Sequence, residues 1–351
     1  MYEFIPSSSR VPRDFVAGMK CGFKFFSPGL VSSEKMGEFI DAHTHIQFSA
    51  YDEDRSEVIE RARKEKIVIV NVGTQKSTSE SAIKLAHKHA DVYATVGLHP
   101  IHTSRSFYDA QELGGGNAAK AFTPLEISRS KRLQPSAKAE SGFLTGFMSH
   151  EEKFDYDYYK NLALDEKVIA IGECGLDHFH LQENIPDAEE RQKKAFIEQI
   201  KLSRDVKKPL MIHCRDAFPD LIEILKSNNS NLLAGNPGII HFFSGTENEA
   251  RELLDMGFYF TFGGAITYQP KKNGVNYEAI IKIMPMERIL SETDAPYVAP
   301  APYRGKRNEP IYVIETVKKL AAFKQVSLET MKKQILKNAE IVFNFFELQN
   351  K

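Results

Sequence analysis

From position 39 onward, short runs rich in Val, Ile and Phe alternate with longer stretches whose apolar residues recur at helical spacing. That rhythm points to parallel βαβ units, because parallel neighbours need a crossover long enough to hold a helix. The expected strands are 39–46, 67–74, 92–98, 168–174, 210–214, 239–243, 258–262 and 288–292. Several are nearly continuous apolar runs, as befits strands covered on both faces. Amphipathic stretches at 55–66, 77–90, 189–206, 218–227 and 247–256 supply helices between them. Eight strands in this order favour an α/β fold of the (β/α)8 TIM-barrel type, although periodicity alone also admits an open doubly wound sheet. No G-x-G-x-x-G follows the first strand, which counts against a dinucleotide fold.

Two regions break the rhythm. Residues 1–36 have no hydrophobic period and are expected to form a poorly ordered N-terminal extension, with the barrel domain at 37–351. Residues 103–150 carry Gly114–Gly116 and a basic polar tract; connections of this kind usually run ~2–6 residues, so this is an insertion, expected near the barrel mouth. Phe154, Tyr158 and Leu162 then recur at helical spacing, and 310–323 and 327–346 read as closing helices, with Ser327 as an N-cap.

Lys and Arg total 46 against 47 Asp and Glu, so no global field draws the chain to polyanions or anionic membranes, and any such binding must come from a local patch. The three cysteines, Cys21, Cys174 and Cys214, are too few and scattered for a disulfide framework. No apolar run approaches the ~18 residues of a membrane span, and the N-terminus lacks a signal-peptide core. The expectation is a cytoplasmic protein with no membrane partner.

The first strand ends in Asp41-Ala42-His43-Thr44-His45, and residues two apart on a strand share a face, so His43 and His45 can reach one ion. Glu173, His213, His241 and Asp294 each follow an apolar run that should carry them to the C-terminal rim, where barrel active sites assemble. Read as ordinary buried polar residues, all six would need separate partners, because unpaired buried charge is costly. A metal centre satisfies them together. The mixed nitrogen and oxygen set suits Zn²⁺ and admits Mn²⁺, whereas Mg²⁺ prefers more oxygen. Six ligands exceed what one tetrahedral ion needs and suffice for two divalent ions sharing a carboxylate, an arrangement suited to phosphoryl displacement. Cys174 and Cys214 follow ligand positions, so alternation turns both thiols away from the interior as packing residues.

The runs FIDAHTHI, VGLHP, IGECGLD, PLMIHCRDA, HFFSG, ETDAPYVAPAPYRGKRNEP and NAEIVFNFF resemble TatD-type deoxyribonucleases in order and spacing, from 39 to about 346 apart from the insertion. The resemblance implies that His43, His45, Glu173 and Asp294 hold one ion, and that Glu173, His213 and His241 hold the second. It also implies a substrate-phosphate contact for His99. The chain departs from the family pattern at Phe242, at His178-Phe179 after GLD, and at His102, a displaced second histidine.

Asp41 and Glu292 precede ligands by two residues and are candidates to fix histidine tautomers from behind. Arg304, Lys306 and Arg307 follow Asp294 in a proline-stiffened loop and are the expected phosphate-binding patch. The implied function is DNA phosphodiester hydrolysis, as an exonuclease on single strands or ends. Asp294 and Glu173 are the catalytic carboxylates, and a monomer is expected. The rivals are D-aminoacyl-tRNA deacylation, or amide and ester hydrolysis by another barrel metallohydrolase. Many of the latter bridge their metals with a carboxylated lysine, and VIAIGECGLD has no lysine.

Overall fold

The structure, a computed structural model, describes residues 37–104, 112, 151–181, 185–270 and 274–344. The N-terminal extension, Cys21 and nearly all of the 103–150 insertion lie outside the described residues.

Eight parallel strands follow one another in sequence order: β1 (Phe39–Thr44), β2 (Ile67–Val72), β3 (Val92–Val96), β4 (Val168–Asp177), β5 (Leu210–Arg215), β6 (Gly238–Ile240), β7 (Tyr259–Phe262) and β8 (Ile289–Ser291). The last returns to the first. Ser291 Oγ donates to Ile40 O at 2.8 Å, Asp294 N to His43 O at 2.9 Å and His45 N to Ala295 O at 2.8 Å. The sheet therefore curls into a TIM-type barrel, and the open doubly wound alternative is excluded.

The helices are α1 (Arg55–Lys64), α2 (Lys76–Ala86), α3 (Tyr156–Ala163), α4 (Ala188–Val206), α5 (Phe218–Ser227), α6 (Glu247–Asp255), α7 (Tyr277–Ile283), α8 (Val313–Lys324) and α9 (Leu328–Phe343). Each turns an apolar stripe inward; α4 buries Ala195, Phe196, Ile200 and Leu202. Thr246 and Glu249 form a capping box at the start of α6, and Ser327 caps α9 as expected. No helix among the described residues is long and apolar enough to cross a membrane.

β1, β2, β3, β6 and β8 are shorter at their C-termini than hydrophobicity suggests, because the apolar runs continue into turns. β6 stops at Ile240, and Phe242 already has a left-handed backbone with φ 46°. β7 ends at Phe262 as expected, β5 reaches one residue further to Arg215, and β4 runs on to Asp177.

Asn338 on α9 ties the bottom of the barrel together. Its buried Nδ2 donates to Met286 O and Ile289 O, both at 2.7 Å, holding the helix against the entry to β8. Asn338→Leu keeps the volume but strands both carbonyls. Unfolding in urea should show a loss of about 1–3 kcal/mol, and an unchanged midpoint would mean these carbonyls find other partners.

Candidate metal centre

Glu173 owes its position to a break in strand register. The pairing of β4 with β5 shifts between Ile171 and Cys174, a bulge that re-aims one side chain. Only glycine fits at the flanks. A Cβ on Gly172 would lie 2.3 Å from Met211 O, and one on Gly175 would lie 2.0 Å from His213 O. The backbone is pinned by Thr95 Oγ1 donating to Gly172 O at 2.7 Å and by Glu173 N donating to Gly73 O at 2.9 Å. Glu173 thus lies within β4 instead of ending it, and its buried carboxylate faces the interior of the rim.

Its two oxygens face different partners. Oε2 is 3.4 Å from His43 Nε2 and 3.7 Å from His45 Nε2; those nitrogens are 3.1 Å apart, and Asp294 Oδ1 is 3.5 Å from His45 Nε2. Oε1 is 3.0 Å from His213 Nδ1 and 2.9 Å from His241 Nε2, themselves 3.1 Å apart. Ligand atoms bound at ~2.0–2.1 Å to one tetrahedral ion stand ~3.3 Å apart. Both sets therefore have the spacing of a coordination shell before any ion is added. The structure brings together all six residues expected to bind metal.

The outer nitrogens decide which histidines present a lone pair. His45 Nδ1 is 2.9 Å from Val72 O and must carry the proton, leaving Nε2 free for metal. His213 Nε2 donates to Asp177 Oδ2 at 3.0 Å, leaving Nδ1 free. His241 Nδ1 faces Glu292 Oε1 at 3.6 Å, which favours a free Nε2. His99 is reversed. Its Nδ1 accepts from Ile101 N at 3.2 Å, so the neutral ring carries its proton on Nε2, 3.3 Å from Glu173 Oε1. His99 lies within ligand range of Glu173 and His213, yet in this tautomer it is a donor and not a ligand.

The electrostatics agree. Burial drives His99 down to about 4, so the ring is neutral. Burial opposes ionisation of Glu173, but the surrounding His99, His241 and His43 rings hold its carboxyl well below the usual range. Burial likewise opposes protonation of His241, which Glu173 and Glu292 nevertheless push well upward. An ionised carboxylate ringed by imidazoles is a donor set that a divalent cation completes.

The model of the TatD related DNase family matches residues 40–344. This chain belongs to that family. A Bacillus subtilis relative, the metal-dependent hydrolase YabD, is 34% identical over 304 residues, covering 86% of this chain and 98% of its own. A Cronobacter sakazakii relative described as the 3'-5' ssDNA/RNA exonuclease TatD is 30% identical, covering 81% of this chain and 89% of its own. Among solved structures, the Escherichia coli TatD homologue YjjV superposes with a TM-score of 0.63 at 24% identity, covering 88% of this chain and 98% of its own. The protein is a TatD-family metal-dependent hydrolase on a TIM barrel.

Other expected site residues of this TatD-family chain fare differently. Asp41 does not brace a histidine ring. It accepts from Thr293 N at 2.8 Å and pairs with Thr293 Oγ1 at 2.5 Å, so it shapes the turn leading to Asp294. Arg307 does not offer a free fork, because both terminal nitrogens bind Asp54, at 2.8 and 2.6 Å, over the face of Tyr51. That pairing removes it from the expected phosphate patch. Arg304 and Lys306 remain exposed, Arg304 resting on Tyr268 with its guanidinium carbon 4.4 Å from the ring centroid. His178 joins Glu189 and Asp220, whose carboxylates Lys193 already holds at 2.5 and 3.0 Å.

Two residues escaped the sequence reading. Asp177 ends the extended β4 and orients His213; it was hidden because the strand was ended at Cys174. Asn308, fully buried, donates from Nδ2 to Thr293 O at 2.8 Å and Tyr297 O at 2.6 Å, folding the loop around Asp294. The Asn in RGKRNEP was its only signal. Within the insertion, Glu112 is described: it meets His102 Nε2 at 3.2 Å and also binds Thr74 and Gln75. Burial opposes its ionisation, yet His102 and these donors hold its carboxyl at about 2. Since that lies below the unfolded value, the ionised form stabilises the fold above about pH 4.3, and this stabilisation fades as pH falls towards 2.

Arg307→Ala should therefore act on the fold. Denaturant titration should show a loss of about 1 kcal/mol, since the ion pair is partly exposed, with the salt dependence of nucleic-acid binding unchanged. A flatter salt dependence with intact stability would restore Arg307 to the patch.

Proposed function

We propose that the chain hydrolyses DNA phosphodiesters, releasing nucleotides from single-stranded ends, at a centre of two divalent ions bridged by Glu173. The observation that carries this reading is the division of the Glu173 carboxylate, one oxygen towards His43, His45 and Asp294, the other towards His213 and His241. The exonuclease name of the Cronobacter relative supports the substrate class. Zn²⁺, Mn²⁺ or Mg²⁺ would serve, with the histidine-rich set favouring the first two. Bound there, such ions supply an acidified water and a clamp on the phosphoryl oxygens.

The chain's own groups do the rest. Asp294 is the one expected ligand whose carboxylate reaches the mouth, with 18% of its side chain exposed. Burial opposes its ionisation, but His45 and His43 hold it below the ordinary range, so it is ready to accept a proton at Oδ1. Glu292, buried with Oε1 3.6 Å from His241 Nδ1, favours the proton of His241 on Nδ1. Asp177 holds the proton of His213 on Nε2 by a hydrogen bond of 3.0 Å. His99 points its Nε2–H at the site, placed to donate to a phosphate oxygen, and Arg304 and Lys306 lie on the exposed loop beyond Asp294.

Purified protein should carry two divalent ions per chain. Chelation should abolish cleavage of single-stranded DNA and lower the melting temperature, since an ion held at 100 times its Kd adds about 2.7 kcal/mol. Glu173→Gln keeps the shape but removes the charge, and should bring metal content below two ions per chain and lower turnover by roughly a hundredfold. Retention of two ions with near-normal turnover would contradict the bridged centre.

A further inference from the structure

We infer that Arg215 is a second phosphate-binding residue of this site, on the opposite side of the centre from Arg304. The inference rests on the reading of the substrate as a phosphodiester chain. Arg215 ends β5 two residues beyond His213, and strand alternation puts both side chains on the same face. Its guanidinium carbon lies 3.7 Å from the ring centroid of Phe179, which follows β4. No carboxylate among the described residues lies within ion-pair distance of it.

The neighbouring acid is already engaged. Asp177 lies opposite Arg215 in the β4–β5 register, but its oxygens serve His213, at 3.0 Å, and the backbone and ring of His180, at 2.9 and 2.8 Å. Arg61, Arg63 and Arg307, by contrast, all have carboxylate partners. Arg215 is only half-buried, so stacking on Phe179 contributes ~0.5–1 kcal/mol and leaves the planar fork of N–H donors unspent. A guanidinium held by an aromatic face, with no acceptor on its donors among the described residues, on the rim beside a metal ligand, is organised for a bidentate contact with a phosphate. Arg304 on Tyr268 has the same construction on the β8 side. The pair would hold phosphates of one strand on either side of the centre.

Holoenzyme carrying Arg215→Ala, Arg215→Lys or the control Arg251→Ala, an exposed position on α6, is compared with wild type. Metal content is measured, together with turnover of bis(4-nitrophenyl) phosphate and binding of a single-stranded oligodeoxynucleotide across a salt series. Arg215→Ala should weaken oligonucleotide binding roughly tenfold and reduce the slope of log K against log salt by ~0.7. Metal content should stay at the wild-type level, and turnover of the small diester should fall by less than the affinity for the oligonucleotide. Arg215→Lys should restore the slope but only part of the affinity, because the ammonium lacks the fork. Unchanged affinity and slope in Arg215→Ala would overturn the inference, as would metal loss in both Arg215 variants, which would mark a structural role. If wild type neither binds nor cleaves nucleic acid, the phosphodiester reading fails. Titration with inorganic phosphate then decides on Arg215 itself: weaker binding in Arg215→Ala supports it, and equal binding overturns it.

Discussion

The buried carboxylate of Glu173 is the constraint around which the rim is organised. An ionised group so deep in a barrel costs several kcal/mol unless cations or donors surround it, and here imidazoles from β1, from the turn after β3, from β5 and from the turn after β6 converge on it. Each arrives at the C-terminal end of the barrel because a strand delivers it there, so the eightfold βα repeat and the metal site are consequences of one geometry.

Holding that carboxylate requires local irregularity. A regular β4 would not place Glu173 where it lies; the register shift between Ile171 and Cys174, with glycines where strand β5 comes closest, does so. The outer nitrogens of His45 and His213 are then fixed by the Val72 carbonyl and Asp177, and that of His241 faces the Glu292 carboxylate. This outer layer sets the roles: three rings present a lone pair inward, while the hydrogen bond from Ile101 turns the neighbouring His99 into a donor. On the proposed reading, one side-chain chemistry thereby serves both metal binding and substrate contact.

Much of this was legible in the sequence. The strand rhythm gave the barrel, and ligand-type residues following apolar runs gave His43, His45, Glu173, His213, His241 and Asp294, because so many polar groups cannot be buried side by side without a shared partner to offset their desolvation. What was not legible depended on tertiary contacts. Asp177 lay beyond an assumed strand end, and no local pattern announces a bulge that lengthens β4. Arg307 looked like a phosphate ligand from its distance along the chain to Asp294, but Asp54, far away in sequence, takes its fork. Asp41 shares a strand face with His43, yet the return of β8 gives it Thr293 as partner.

The claim at the centre of this account is that Glu173 is shared between two ions, one beside each carboxylate oxygen. Anomalous diffraction from crystals of the full chain grown with Mn²⁺ or Zn²⁺ tests it most directly. The account predicts two anomalous peaks, one among Glu173 Oε2, His43, His45 and Asp294 and the other among Glu173 Oε1, His213 and His241. A single peak, or peaks whose ligands do not include Glu173, would contradict it.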